Sequence, residues 1–121
     1  MFRLKINDLD KKIWDEELNE FVPKKIYDIH THIYRWKFNL DTEKENGPYK
    51  FQGQNFKNVS FNFLDEIDKK LMPNRKIERL AFPFPYNYPC DFDSSNKYVS
   101  NQVNNQSGSH NLILINPLMK K

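Results

Sequence analysis

The sequence predicts an α/β fold built on a parallel sheet, and three observations carry that prediction. Strand-like and helix-like stretches follow one another as strand, helix, strand, helix, strand, which implies parallel pairing through right-handed crossovers. The last strand, residues 111–116, reads Asn-Leu-Ile-Leu-Ile-Asn. It is apolar on both faces, as parallel strands covered on both sides are. The first strand, residues 25–34, alternates at period 2 around Asp28-Ile29-His30-Thr31-His32. A chain of 121 residues is normally one domain.

Asp10 is the expected N-cap of a lead-in helix, with Ile13, Trp14, Leu18 and Phe21 as one apolar stripe and Pro23 closing it. In the first strand, side chains two apart leave on one face. Ile26, Asp28, His30 and His32 are therefore expected together, with Tyr27, Ile29 and Ile33 on the face packed against helices. Residues 35–60 form a long polar and aromatic stretch broken at Gly47-Pro48. Ser60 caps a helix over residues 61–72, with Leu64, Ile67 and Leu71 at helical spacing and Pro73 just beyond. Its aromatics read as core. A second strand covers residues 76–82 and runs into Pro83-Phe84-Pro85. Residues 86–93 are a loop, Ser94 or Ser95 caps a third helix to about Val103, and residues 104–109 turn into the last strand. Sheet edges left open on the first and third strands point to self-association. With Pro117-Leu118-Met119-Lys120-Lys121 directly after the third strand, the chain reads as the N-terminal part of a larger fold.

Composition narrows the function classes. The net charge of +3 comes from interleaved acids and bases, whereas a nucleic-acid partner calls for a clustered basic patch. The N-terminus turns charged too soon for a signal peptide, and no apolar run approaches the roughly 20 residues that span a bilayer. Cys90 is alone, so no intrachain disulfide forms and a reducing, cytoplasmic setting is expected.

The chemistry concentrates in the first strand. Two imidazoles two residues apart stand roughly 7 Å apart at their backbones, and their rings can lean onto one ion at about 2.0–2.1 Å. A His-x-His pair at a strand end can equally be solvated. The buried-looking strand and the acid two residues upstream favour a metal. Asp28 could hold a histidine in its metal-binding tautomer, or cap a turn. Past the strand, Arg35, Trp36 and Lys37 could meet an anionic or aromatic small-molecule substrate, or be surface residues of a long loop. Tyr86, Tyr88 and Asp91 on the second loop share that ambiguity. His110, in the turn before the third strand, reads as a solvated histidine.

The segment Ile26-Tyr27-Asp28-Ile29-His30-Thr31-His32 resembles the strand-1 metal motif of the amidohydrolase superfamily, in its amidohydrolase-related branch of metal-dependent hydrolases and decarboxylases. Three further stretches follow in the family's order: Leu71-Met72-Pro73-Asn74-Arg75-Lys76, with Asn74 where glycine is common, then Leu80-Ala81-Phe82-Pro83-Phe84-Pro85, then Asn96-Lys97-Tyr98-Val99 with Leu112-Ile113-Leu114-Ile115-Asn116-Pro117. The resemblance implies the N-terminal part of a (β/α)8 TIM barrel. Residues 1–24 would be the lead-in and residues 25–121 the first βαβαβ portion. It further implies zinc or another divalent metal on His30 and His32, with remaining ligands and a proton-moving aspartate on later strands. The chain by itself would then be inactive. Two alternatives stand beside this: a non-catalytic α/β binding or assembly module, and a His-x-His phosphoesterase. The latter type usually continues with a Ser-Asp-Gly-like turn, where this chain has Ile33-Tyr34-Arg35-Trp36.

Overall fold

The computed structural model describes residues 4–117; Met1, Phe2, Arg3 and the tail from Leu118 to Lys121 lie outside the described residues. The lead-in starts one turn earlier than expected. Asn7, not Asp10, is the N-cap of α1 (Asp8–Ile13), and Asp10 closes a capping box from the third position. The helix then widens into a π-turn over Trp14–Leu18, which carries an extra residue per turn and rotates the apolar stripe. Only Trp14 of that stripe is buried, while Phe21 is 84% exposed. Arg75 ties this segment down by stacking over the Trp14 ring, 4.9 Å from its centroid, and donating to the carbonyls of Val22 and Asn19. The preceding Asn74 takes a φ of 62°, a left-handed conformation that glycine or asparagine adopts most readily.

The main sheet has three parallel strands in the order β1 (Lys25–His32), β4 (Lys76–Phe82), β5 (His110–Asn111). Helices α3 (Phe61–Leu71) and α4 (Phe92–Val103) cover one face. Ile33, Phe61, Ala81, Val99 and Val103 form the core between them. Ile33, Phe61, Val99 and Val103 each stabilise by roughly 1.5–3 kcal/mol on full burial. Ser60 caps α3 as expected. Asp91 rather than Ser94 or Ser95 caps α4, which moves the start of that helix back into the anticipated loop.

A one-residue bulge interrupts β1. Asp28 pairs with Arg79 and Thr31 with Ala81, so three residues of β1 advance against two of β4. An inserted residue reverses the facing of everything beyond it. Ile26 and Asp28 consequently stand on the helix side, and His30 and His32 on the other. The single shared face expected for those four does not form. Tyr27 and Ile29 are exposed, Ile29 by 73%, and only Ile33 of the expected helix-facing trio is buried.

Residues 34–60 are folded rather than looped. Strand β2 (Tyr34–Arg35) pairs antiparallel with β3 (Asn58–Val59), with a 3-10 turn at Trp36–Phe38 and helix α2 (Lys50–Asn55) between them. Tyr34, Trp36, Val59, Tyr86 and Cys90 make a second core. The third strand is shorter than expected. Leu112, Ile113 and Ile115 are exposed instead of buried, because the Asn96 side chain takes both the amide and the carbonyl of Leu114 and these residues run on outside any strand. No helix among the described residues is long and apolar enough to cross a membrane.

Ion pairs tie the strands on both faces of the sheet. Arg79, 4% exposed, bridges Asp28 at 3.2 Å and Asp68 of α3. Arg79→Ala strands two carboxylates and is expected to cost about 3–5 kcal/mol, read from urea unfolding. Glu78 binds Lys25 and Lys76 at 3.0 and 3.1 Å, and both hold its carboxyl below the usual glutamate range. A depressed folded-state value contributes stability above the unfolded value of about 4.3 and loses it as pH falls through the folded one. Acid titration of the melting temperature should therefore show a smaller decline in Glu78→Gln than in the parent, and high salt should shrink the difference.

Candidate metal centre on the first strand

Asp28 sets the local geometry. Its Oδ1 accepts the His30 amide at 2.9 Å and its Oδ2 accepts the Thr31 hydroxyl at 2.7 Å. Aspartate commonly bonds its own backbone two residues on, and here that habit closes the bulge. Burial works to raise the Asp28 carboxyl, yet the Thr31 and His30 hydrogen bonds together with Arg79 outweigh it and hold the group below its ordinary value.

Beyond the bulge the two imidazoles converge, with His30 Nε2 and His32 Nε2 3.2 Å apart. His32 Nδ1 lies 3.2 Å from the Pro83 carbonyl. A carbonyl only accepts, so Nδ1 carries the proton and the Nε2 lone pair faces His30. Desolvation, reinforced by the neighbouring His30, lowers the His32 pKa and favours the neutral ring that metals require. Phe82 packs edge-on against both rings, with centroids 5.0 and 4.6 Å away.

These donors fit a zinc ion. Two nitrogens 3.2 Å apart, each about 2.0–2.1 Å from a common centre, subtend roughly 100°, near the tetrahedral angle. Among the described residues no group of three or more histidine, cysteine, aspartate or glutamate side chains comes together, so the chain presents a two-donor edge. Asp28 belongs to the site through the backbone. Its carboxylate reaches the His30 amide and neither ring.

The other anticipated residues are placed as follows. Arg35 and Lys37 are exposed, whereas Trp36 is 6% exposed and part of the core. Arg35, Trp36, Lys37, Lys44, Glu45, Lys57 and Asn58 line an open basin of about 630 Å³. Glu45, its lone acid, accepts the Trp36 indole N–H, and the four cations Arg35, Lys37, Lys44 and Lys57 against that one carboxylate leave the basin cationic. Ring contacts run from His32 to Phe84 at 5.1 Å, on to Tyr86 at 5.0 Å and to Trp36 at 5.8 Å. Tyr86 is core, and burial pushes its phenol well above the usual range. Tyr88 is exposed and Asp91 is spent on capping α4. His110 is exposed, but it sits within β5 opposite Leu80 rather than in the turn.

Sequence reasoning missed the Pro83 carbonyl and Phe82 as neighbours of the pair, since only the β1–β4 register brings them there. It also missed Gly53. A Cβ on Gly53 would stand 2.5 Å from the Trp36 ring. Gly53→Ala should therefore push α2 off the indole and shift Trp36 fluorescence to longer wavelength. Comparison with family models, with curated proteins and with solved structures finds no match to this chain.

Proposed function

We propose that this chain is the first βαβαβ portion of an amidohydrolase-like (β/α)8 barrel and supplies His30 and His32 as metal ligands for a hydrolase or decarboxylase acting on a small organic anion. The observation that carries the reading is the pair of Nε2 atoms 3.2 Å apart, at the C-terminal end of a parallel strand and on the face opposite the helices. Barrel enzymes place their sites at the C-terminal ends of strands, with helices outside and side chains filling the interior. The exposed Tyr27, Ile29 and Leu112 suit such an interior.

When bound, a divalent ion supplies Lewis-acid polarisation of a carbonyl or carboxylate and acidification of water. The residues of this chain do the holding. Pro83 keeps the His32 proton on Nδ1, Asp28 anchors the His30 backbone, and Phe82 shields one side of both rings from solvent. The basin bearing Arg35, Lys37, Lys44 and Lys57 would draw in an anion by long-range attraction. A catalytic zinc takes three protein ligands, and in this reading the third comes from another strand of the barrel.

The test is a zinc titration of the chain followed by NMR of its histidines. His30 and His32 should shift together, His110 should not, and either His30→Ala or His32→Ala should abolish the response of the remaining ring. Two donors hold the ion weakly, so metal content after dialysis should fall well below one equivalent and turnover should be absent. A titration that moves neither ring, or moves His110 equally, overturns the reading.

A further inference from the structure

A short, charged network lies under the bulge, on the face of β1 opposite the imidazoles. Arg79 bridges Asp28 and Asp68, tying β1 to β4 and α3. Asp28 spends both carboxylate oxygens on the bulge, one on the His30 amide and one on the Thr31 hydroxyl. The Arg79 amide is itself held by the Ser109 hydroxyl at 3.0 Å. The guanidinium therefore meets the carboxylate from a fixed point in the sheet. Without the extra residue, strict alternation would place His30 and His32 on the side of Asp28, against the buried Arg79.

We propose that Asp28 is a positioning residue for the histidine pair: held from below by Arg79, it closes the bulge that turns both imidazoles to the open face and brings their Nε2 atoms within one ion's reach. The proposal rests on the metal reading of His30 and His32, and it differs from a tautomer-holding role because Asp28 acts through the backbone of residue 30. Loss of such an outer partner typically weakens metal affinity about 10–100-fold.

Four variants of the 121-residue chain, probed with zinc ion alone, test this. Asp28→Ala removes the acceptor for the His30 amide and should weaken zinc at least about tenfold. It should also abolish the ring-to-ring nuclear Overhauser effect between His30 and His32 in the metal-free protein. Asp28→Asn keeps a carbonyl oxygen for that amide but loses the charge facing Arg79. It should melt lower, as Asp28→Ala does, yet recover most of the zinc affinity. Asp68→Asn disturbs the same guanidinium without touching the bulge, and should cost stability with zinc affinity unchanged. Thr31→Val removes only the hydroxyl bond to Asp28, and carries the test if Asp28→Ala fails to fold: weaker zinc and a weaker ring-to-ring effect are expected. Zinc loss that tracks melting temperature across all four variants would mean that Asp28 serves stability alone, and overturns the proposal. So does an intact ring-to-ring effect in Asp28→Ala, or in Thr31→Val where that variant stands in. If the parent chain shows the ring-to-ring effect but ignores zinc, the metal reading fails while the positioning role is still judged by that effect.

Discussion

The Arg79 guanidinium is the point on which the rest of this structure depends. A cation that is 4% exposed persists only with close opposite charge, because its desolvation costs several kcal/mol. Asp28 and Asp68 supply that charge from the neighbouring strand and from α3. The requirement locks β1, β4 and α3 into one register. It also decides which side of β1 Asp28 occupies. Since Asp28 is bonded to its own strand at residues 30 and 31, the side chosen for the acid determines the side left for the histidines.

That arrangement divides the sheet chemically. One face carries the packed core of Ile33, Phe61, Ala81, Val99 and Val103. The other carries His30 and His32 against Phe82, with Tyr27, Ile29 and Leu112 exposed beside them. A buried ion pair is weak evidence of net stability. In an unbulged strand strict alternation would turn the two imidazoles toward the Arg79 guanidinium instead.

The second core has a different role. Tyr34 meets Phe84 and Tyr86, and Trp36 meets Tyr86, edge to face at centroid separations of 5.4–6.1 Å, an arrangement favoured by aromatic quadrupoles, while Phe84 and Tyr86 stand tilted at 5.0 Å. Because β2 and β3 pair and α2 closes over Trp36 at Gly53, the segment after the histidines is anchored to the sheet. The cations of its basin therefore sit on a fixed support, where orientation can contribute to recognition of an anion.

By itself the sequence determined the parallel α/β class, the strand at residues 76–82, the Ser60 cap and the convergence of a histidine pair at the end of the first strand, because these depend on local periodicity and local hydrogen bonding. Asp28 was also the available signal for the bulge: aspartate is depleted in strands and prone to bond its own backbone, so its presence mid-strand argued against unbroken alternation. What local pattern could not show was the partner. Arg79 lies 51 residues from Asp28 and Pro83 lies 51 from His32, and only the register of β1 against β4 brings each to its place. The same holds for residues 34–60. Their aromatics gave no period, and they became a core only when β2 met β3 and Tyr86 came in from the far side. The tertiary structure decided the facing of β1, for the physical reason that one inserted residue inverts a period of two, and where that residue falls is read only against the partner strand 51 positions away.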